Sequence, residues 1–274
     1  MTQYRLDDLP AVLLPYQDKI LATAQPSILL HLCHAEDLPL WQSKVGGKPY
    51  LPLNMPYPEN NQGQALQLVA QINFAELPEN TIYPKQGILQ FYIDAEDDLL
   101  GLNFDDQTDQ TGFRVIYHQE VIQDLKALHH FEEEQQLPDF AYSNLTGEYS
   151  IYFELTQQYM GIDDFKFERL IFDDQPIDDQ KDELLYDEFY EAYHQHCSAS
   201  GHRLGGYPFF TQGDPREIEE YKDYILLFQL DSESNQEKNI EIIWGDAGVG
   251  NFFIKAEDLK NLDFSKVMYN WDCY

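Results

Sequence analysis

The chain has 274 residues, with 17 lysines and arginines against 49 aspartates and glutamates, and a formal net charge of −32. Nucleic acids and anionic membranes bind basic surfaces, so this charge balance argues against both as partners. Hydrophobic residues make up 43% of the sequence, which is typical of a folded chain and not of a disordered one. The charge therefore serves solubility, cation binding or recognition of a basic protein.

The cysteines Cys33, Cys197 and Cys273 are odd in number and include no Cys-x-x-Cys pair. This pattern argues against a disulfide framework and against a four-cysteine zinc site. No apolar run reaches the ~20 residues that a membrane span needs, and the first residues lack the pattern of a secretory signal. We therefore expect a cytoplasmic protein with reduced thiols.

The N-terminal part, residues 7–24, has apolar residues at helical spacing and predicts a helix, which Pro15 would split or kink. Residues 51–58 contain three prolines and fit only an ordered loop or a sheet edge. Short apolar or alternating runs predict strands at 27–33, 66–74, 87–94, 113–117, 149–155 and, with less regularity, 170–172.

Residues 163–191 carry twelve carboxylates and form the most acidic stretch of the chain. Its first part, with Asp173, Asp174, Asp178 and Asp179, predicts a solvated loop. Apolar residues at helical spacing predict a helix from about Lys181, which the small residues at 198–201 would end.

Further along, residues 242–259 read as a strand, a glycine turn, a second strand and an acidic turn. Three short motifs then recur at an offset of about 160 residues: 43–49 at 202–208, 71–73 at 229–231, and 93–97 at 254–258. Three matches in the same order predict a duplicated unit.

We therefore expect an α+β fold with a mainly antiparallel sheet and a few flanking helices. The repeat units would cover residues 43–97 and 202–258. A helix and strand would occupy residues 1–42, and an acidic, aromatic insert residues 98–201. No flexible linker separates the units, which favours one domain over residues 1–274, with tandem domains as the alternative.

These motifs resemble those of the YwqG-like family, a set of bacterial proteins of unknown function. The matching pieces are Val45–Pro52, Gln71–Pro78, Gly87–Tyr92, His202–Pro208, Leu227–Asp231 and Trp244–Gly248. The resemblance implies an intracellular, duplicated α+β fold. It implies no catalytic residues, and the catalytic role stays unassigned.

Polar residues near the second glycine turn and the Trp-Gly-Asp turn form a candidate ligand-binding site. They are His202, Arg203, Gln212, Asp214, Arg216 and Asp246. Such residues can supply an acid, a base and a clamp for an anion. The alternative is turn formation, because Asp caps a Gly-Asp turn and an Asp-Pro pair initiates one.

Other patterns of catalytic or metal-binding residues are incomplete. His31-x-Cys33-His34 and His194-x-His196-Cys197 lack the spaced ligand pairs of zinc sites, so we expect no metal and place Cys33 in the core. The carboxylate pairs at 105–106 and 163–164 have no known separation in space. The sequence contains no nucleophile elbow and no nucleotide-binding fingerprint, so no cofactor is expected.

The leading hypothesis is a non-catalytic acidic module that binds a basic protein, with an immunity-type or regulatory role. Tyr186, Tyr190 and Tyr193 would join the acidic surface, since tyrosine is favoured at interfaces. The runner-up is a small-ligand-binding protein or a hydrolase with its site near the Gly-Gly and Trp-Gly-Asp turns. A purely structural subunit is the third class.

Overall fold

The computed structural model describes residues 9–131, 144–177, 180 and 183–274. Within these ranges the chain forms thirteen strands and four α-helices. The strands are β1 (Gln25–His34), β2 (Lys44–Gly46), β3 (Gln67–Asn73), β4 (Ile88–Ile93), β5 (Phe113–His118), β6 (Asn144–Leu145), β7 (Glu148–Gln158), β8 (Arg203–Gly205), β9 (Tyr224–Asp231), β10 (Glu233–Asn235), β11 (Ile240–Ile243), β12 (Val249–Lys255) and β13 (Met268–Asp272). The helices are α1 (Gln17–Ala22), α2 (Phe167–Phe172), α3 (Glu183–Cys197) and α4 (Ala256–Asn261).

Ten strands form one antiparallel sheet in the order β13-β12-β9-β8-β1-β7-β2-β3-β4-β5. The two longest strands, β1 and β7, lie at its centre and pair from Gln25 with Gln158 to His34 with Tyr149. A second sheet has the order β10-β11-β6. The prediction of an α+β fold with a mainly antiparallel sheet and a few helices is confirmed, with the sheet dominating.

The large sheet curls until its two edge strands face each other across an aromatic core. Phe91 of β4 lies with its ring centroid 4.7 Å from that of Phe228 on β9 and 4.8 Å from that of Phe252 on β12. At the edges, the rings of Phe113 on β5 and Tyr269 on β13 are 5.2 Å apart. Strands from the two ends of the sheet therefore bury one common hydrophobic core.

The central strand β1 alternates because only one of its faces covers this core. Leu30 and Leu32 are buried, whereas His31 and Cys33 point to the opposite, open face and are exposed. The prediction that Cys33 is a small core residue is therefore wrong. The strand period of two decides this, since residues 31 and 33 share the face that leucines 30 and 32 do not use.

Helices α1, α2 and α3 form a separate core beside the sheet. The ring of Tyr16 meets those of Phe172 on α2 and Phe189 on α3 at centroid distances of 5.3 and 5.1 Å. Lys19 on α1 donates a hydrogen bond to Asp173, which follows α2, at 2.8 Å. Aromatic packing thus holds the six-residue helices α1 and α2, which are too short to be stable alone, against α3.

Two sequence predictions about these helices need correction. The helix expected over 7–24 is, within the described residues, a 3-10 turn at Leu14–Tyr16 followed by the short α1, and Pro15 lies in that turn. The strand expected at 170–172 is the end of α2, where Phe167 and Ile171 bury one helical face. Three apolar residues cannot distinguish a strand from a helix turn. The predicted helix from Lys181 is seen as α3 from Glu183, while residues 178–179 and 181–182 lie outside the described residues.

A buried glutamine on β3 fastens a loop to the outer face of the sheet. The Gln71 side chain is fully buried. Its amide nitrogen donates to the carbonyl oxygens of Leu40 at 2.6 Å and Gln42 at 2.7 Å, and its oxygen accepts from the Tyr50 amide at 2.9 Å. One amide side chain thus satisfies three backbone groups that the loop would otherwise bury unpaired.

A second buried glutamine, on β9, makes the corresponding contacts. The Gln229 amide nitrogen donates to the carbonyl oxygens of Ala199 at 2.9 Å and Gly201 at 2.7 Å. Its oxygen accepts from the Phe209 amide at 2.8 Å. Both glutamines sit beside a buried basic residue, because Lys44 pairs with Gln71 across β2 and β3, and Arg203 pairs with Gln229 across β8 and β9.

The aromatic core predicts a large difference between two phenylalanine substitutions. Phe91→Ala removes a fully buried ring at the centre of the core, and we expect it to lower the free energy of unfolding by about 3–5 kcal/mol. Phe104→Ala, at a side chain that is 72% exposed, should change it by less than about 0.5 kcal/mol. Urea unfolding followed by tryptophan fluorescence measures both. Equal losses would contradict the proposed closure of the sheet around Phe91.

Candidate functional site

The structure places the six predicted site residues in three neighbourhoods. Gln212, Asp214 and Arg216 come together beside the start of α2. His202 and Arg203 lie on and next to β8, where they contact Asp231 and Ser200. Asp246 lies in the turn between β11 and β12. The six residues therefore do not converge in a single cleft. The first neighbourhood adjoins a cavity.

The first neighbourhood is organised by a buried arginine and two buried aspartates. Arg216 donates through Nε to Asp214 Oδ1 at 2.9 Å and through Nη2 to Asp214 Oδ2 at 2.6 Å. The same Nη2 donates to Asp164 Oδ2 at 2.8 Å. The side chains of all three residues are at most 5% exposed. Each charge is therefore paired, as buried charges must be.

Local turns aim these aspartates at the arginine. Asp214 caps the 3-10 turn Pro215–Glu217 by accepting a hydrogen bond from the Arg216 amide, so the predicted Asp-Pro turn is confirmed. Asp164 accepts in the same way from the amide of Lys166, just before α2. Asp214 also accepts from the Phe165 amide at 3.1 Å, which joins the two turns directly.

Burial alone would lower the pKa of Arg216, but the hydrogen bonds and charges of Asp214 and Asp164 outweigh burial and raise it. The guanidinium lies over the rings of Phe165 and Phe253, at 5.3 and 5.1 Å from their centroids. The arginine is thus fully engaged by the protein, and it serves to position Asp164 and Asp214.

A cavity of about 440 Å³, here called the acidic cavity, opens between these two turns. Its carboxylates come from Asp163, Asp164, Glu168, Asp174, Asp214 and Glu217. Among the described residues that line it, Arg169 is the one arginine on the wall; Lys166 and Arg216 lie close by. Carboxylates outnumber the basic groups even when Arg216 is included, so the cavity favours a cation.

Asp163 is the carboxyl group of the acidic cavity with a raised pKa. Burial, together with the charges of Asp272 and Asp214, raises the pKa of Asp163 to about 6. A carboxyl group with this pKa exchanges its proton near neutral pH, as a general acid or base must. An approaching cation would favour the ionised form and lower the pKa again.

The opposite wall of the acidic cavity is fixed by the C-terminal strand. Asp272 at the end of β13 accepts hydrogen bonds from the Thr211 amide at 3.1 Å and the Gln212 amide at 3.2 Å. The Gln212 side chain donates to the Cys273 carbonyl oxygen at 2.8 Å. The hydroxyl of Thr211 is inaccessible and makes no hydrogen bond within the described part of the chain. Gln212 therefore acts mainly in holding the wall.

Of the residues that build this site, the sequence prediction named Gln212, Asp214 and Arg216 but not Asp163, Asp164 or Asp272. The adjacent pair 163–164 was visible as a pair of carboxylates. Nothing in the sequence indicated that Asp164 and Asp214, about 50 positions apart, both pair with Arg216. That shared contact depends on how α2 and β13 pack.

The second neighbourhood is a hydrogen-bonded support for the start of β8. His202 Nε2 lies 3.0 Å from Glu233 Oε2, and its Nδ1 accepts from the Asp231 amide at 3.1 Å. This arrangement makes Nε2 the protonated nitrogen of a neutral ring. His202 is buried, and both of its ring nitrogens form hydrogen bonds within the protein.

Arg203 and Lys44 are buried cations on the outer face of the sheet. Burial lowers the pKa of Arg203 to about 10, against the opposing charge of Asp231. Arg203 donates to the Ser200 carbonyl oxygen, while its Nε has no partner in the described residues. Lys44 donates to Glu148 at 2.7 Å, and burial still lowers the pKa of Lys44. Both act in tying loops to the sheet.

Asp246 is exposed, and no hydrogen bond of its side chain to the described residues is seen. The turn itself depends on Gly245, which has a φ of +50°. A Cβ at Gly245 would lie 2.8 Å from Cys273 Sγ. The Asp246 carbonyl oxygen accepts from the Tyr274 amide at 3.4 Å. The turn therefore packs against the C-terminal residues that also hold Gln212.

The cysteines and tyrosines have different environments from those predicted. Burial raises the pKa of the Cys197 thiol to about 12, which makes it unreactive. Tyr193 is fully buried, and Tyr186 and Tyr190 are partly buried, so the expectation of exposed tyrosines is wrong for Tyr193. They face inward because aromatic packing holds α3 to α2.

No group of three or more possible metal ligands occurs among the described residues.

Comparison with known families matches residues 43–273 to a family described as a domain of unknown function (DUF1963). The match covers most of the chain, and the chain belongs to this family. A comparison with curated proteins found no match. In the described part of the chain, no helix has both the length and the apolar character needed to cross a membrane.

The burial of Arg216 predicts that two substitutions of basic residues will differ strongly in their effect on the free energy of unfolding. Arg216→Met leaves Asp164 and Asp214 buried without their partner, and we expect the free energy of unfolding to fall by about 3–5 kcal/mol. Lys222→Met, which removes an exposed pair with Glu219, should cost less than about 1 kcal/mol. Urea unfolding at neutral pH is the measurement. A loss below about 1 kcal/mol for Arg216→Met would refute the role of this arginine.

The raised pKa of Asp163 predicts that substituting this residue changes stability by an amount that depends on pH. Its pKa of about 6 lies above the ordinary value of 3.8, so the folded chain holds the proton more tightly than the unfolded chain. Ionisation therefore destabilises the fold as the pH rises through this range. We expect Asp163→Asn, which stays neutral, to be more stable than the wild type at about pH 7.5, with a smaller difference at about pH 5.

Urea unfolding at both pH values tests this expectation, with Asp98→Asn as the control because Asp98 is exposed. A difference between Asp163→Asn and the wild type that is the same at both pH values would contradict the raised pKa.

Proposed function

We propose that this protein is a non-catalytic acidic module that binds a basic protein, in an immunity-type or regulatory role. The observation that carries the proposal is the acidic cavity, which combines a volume of about 440 Å³ with an excess of carboxylates over basic groups. A lysine or arginine side chain of the partner would enter this cavity and meet Asp163, Asp174 and Glu217.

The electrostatics of the whole chain support a basic partner. A net charge of −32 attracts positive surfaces at long range and accelerates association at low salt. Burial and, to a smaller extent, the charges of Asp272 and Asp214 raise the pKa of Asp163. Within the acidic cavity, a bound ammonium or guanidinium group would offset both effects by favouring the ionised carboxylate. Long-range attraction and a local cation site thus favour the same class of partner.

A second acidic surface lies on the outward face of α3, where Asp187, Glu188 and Glu191 are exposed. Leu184 on the same helix is 77% exposed, which adds an apolar element to that face. The contributions of the two acidic surfaces to binding can be compared directly, because the same number of substitutions removes the same charge from each.

The runner-up function is binding or hydrolysis of a small cationic ligand in the acidic cavity. Its support is the proton-exchanging carboxyl of Asp163, a property that a purely structural carboxylate does not need. This version moves the predicted small-ligand site from the glycine turns to the cavity. A ligand such as spermidine would then raise the melting temperature of the wild type and not that of Asp163→Asn.

We also propose that residues 1–274 form one domain with an internal duplication, and that the chain falls within the YwqG-like group of its family. The matching contacts of Gln71 and Gln229 support the duplication, as does the strand order, which has five strands on each side of the β1–β7 junction. Three free cysteines are consistent with a cytoplasmic location.

The binding proposal is tested by affinity capture from the host with three immobilised proteins. They are the wild type, a cavity variant (Asp163→Asn, Asp174→Asn, Glu217→Gln) and a matched α3 variant (Asp187→Asn, Glu188→Gln, Glu191→Gln). We expect a basic protein to be retained by the wild type at about 50 mM salt and released at about 500 mM, because screening weakens the attraction. Titration of the purified partner should show affinity reduced by about tenfold or more in the cavity variant.

The α3 variant carries the same change in net charge and should lose much less affinity than the cavity variant. Equal losses would mean that net charge alone attracts the partner. A loss confined to the α3 variant would transfer the interface to that helix. No basic protein retained at low salt would refute the binding proposal.

A further inference from the structure

A second cavity, of about 490 Å³, opens at the end of the curled sheet where β9 begins and β12 leads into α4. We call it the apolar cavity. The residues that define it are Ile82, Tyr83, Ile225, Leu259, Lys260 and Leu262. Its volume falls in the range of small-molecule sites, and the open end of a barrel-like sheet is a common place for one.

One wall of the apolar cavity is preformed by a turn that is held from both sides. Asn80 Oδ1 accepts hydrogen bonds from the amides of Ile82 at 3.1 Å and Tyr83 at 2.8 Å. The Tyr83 hydroxyl donates to the Leu227 carbonyl oxygen on β9 at 2.8 Å. A ligand would therefore meet a wall that is already ordered, which reduces the entropy cost of binding.

The opposite wall is the short helix α4 and the residues after it. Leu259 is almost fully buried, and Leu262 packs against the same core. Ile225 on β9 is 37% exposed and points into the opening. Exposed isoleucine beside buried leucine leaves an apolar surface that connects solvent with the core of the sheet.

The charge of the apolar cavity is opposite to that of the protein. Lys260 is the one charged residue among the described residues that line it. Lys260 is exposed and forms no ion pair with the described residues. In a chain with a net charge of −32, an unpaired lysine at the rim of an apolar opening marks a place where an anionic group would be accepted.

We propose that the apolar cavity binds a small molecule with a hydrocarbon body and one terminal carboxylate, such as a medium-chain fatty acid. The hydrocarbon lies between Ile82, Ile225 and Leu259, where its burial supplies the affinity. The carboxylate remains at the rim and pairs with Lys260. This site is independent of the acidic cavity, which selects the opposite charge.

Isothermal titration with decanoate and with 1-decanol tests the proposal. We expect one decanoate to bind per chain, with higher affinity than 1-decanol. Ile225→Trp places a larger ring in the opening and should weaken decanoate binding by about tenfold or more. Ala256→Trp narrows the opening from the helix side and provides a second blocking variant. Ile218→Trp, at a side chain that is 57% exposed elsewhere on the surface, is the matched control.

The charge is tested separately. Lys260→Gln should weaken decanoate binding by about fivefold and leave 1-decanol binding unchanged. Lys126→Gln, at another exposed lysine, should change neither. Absence of decanoate binding, or binding that survives both tryptophan variants, would overturn the site. Equal effects of Lys260→Gln on both ligands would overturn the carboxylate assignment. The acidic-cavity variants should not alter decanoate binding, so failure here leaves the binding proposal for the basic protein untouched.

Discussion

Contact between the two ends of one curled sheet is the constraint on which the rest of the molecule depends. Phe91 lies on β4, whereas Phe228 and Phe252 lie on the neighbouring strands β9 and β12 at the other end of the sheet order. The three ring centroids nevertheless lie within 6.0 Å of one another. Burying these rings together requires the sheet to curl, since each strand alone leaves an apolar face open. The apolar cavity opens at the edge of this core, and the acidic cavity opens outside it.

The outer face of the sheet is stabilised by hydrogen bonds, because loops cover it and place polar backbone groups against it. Gln71 and Gln229 bond to those backbone groups, and the nearby cations Lys44 and Arg203 bind carbonyl oxygens of the covering loops. Such positions look like active-site residues in a sequence, since they are charged or polar and adjoin glycine turns. Their geometry instead satisfies buried hydrogen bonds, which a folded protein must do wherever a loop crosses a sheet.

This explains how far the sequence could predict the structure. Strands β3, β4, β5 and β7 were predicted close to their limits because their apolar and β-branched residues form runs of strand length. The turn that Asp214 begins could be predicted from the local Asp-Pro pair, but the pairing of Arg216 with Asp164 could not. That contact depends on the packing of α2 beside the loop that Asp272 holds, and no local pattern records it. The prediction for Cys33 fails for a different reason. It takes the strand at 27–33 as buried on both faces, whereas β1 covers the core with one face.

The two cavities show why net charge alone does not describe what this chain can bind. In the acidic cavity, Arg216 is already engaged by Asp164 and Asp214, so the remaining carboxylates act on whatever enters. In the apolar cavity, hydrocarbon contacts would provide the affinity, and a single lysine would determine the preferred charge of the ligand. A long-range negative field attracts cations to the whole surface, but only a desolvated site converts that attraction into specificity. If the two proposed sites bind as argued, local desolvation, more than the total of −32, would decide which ligand each site selects.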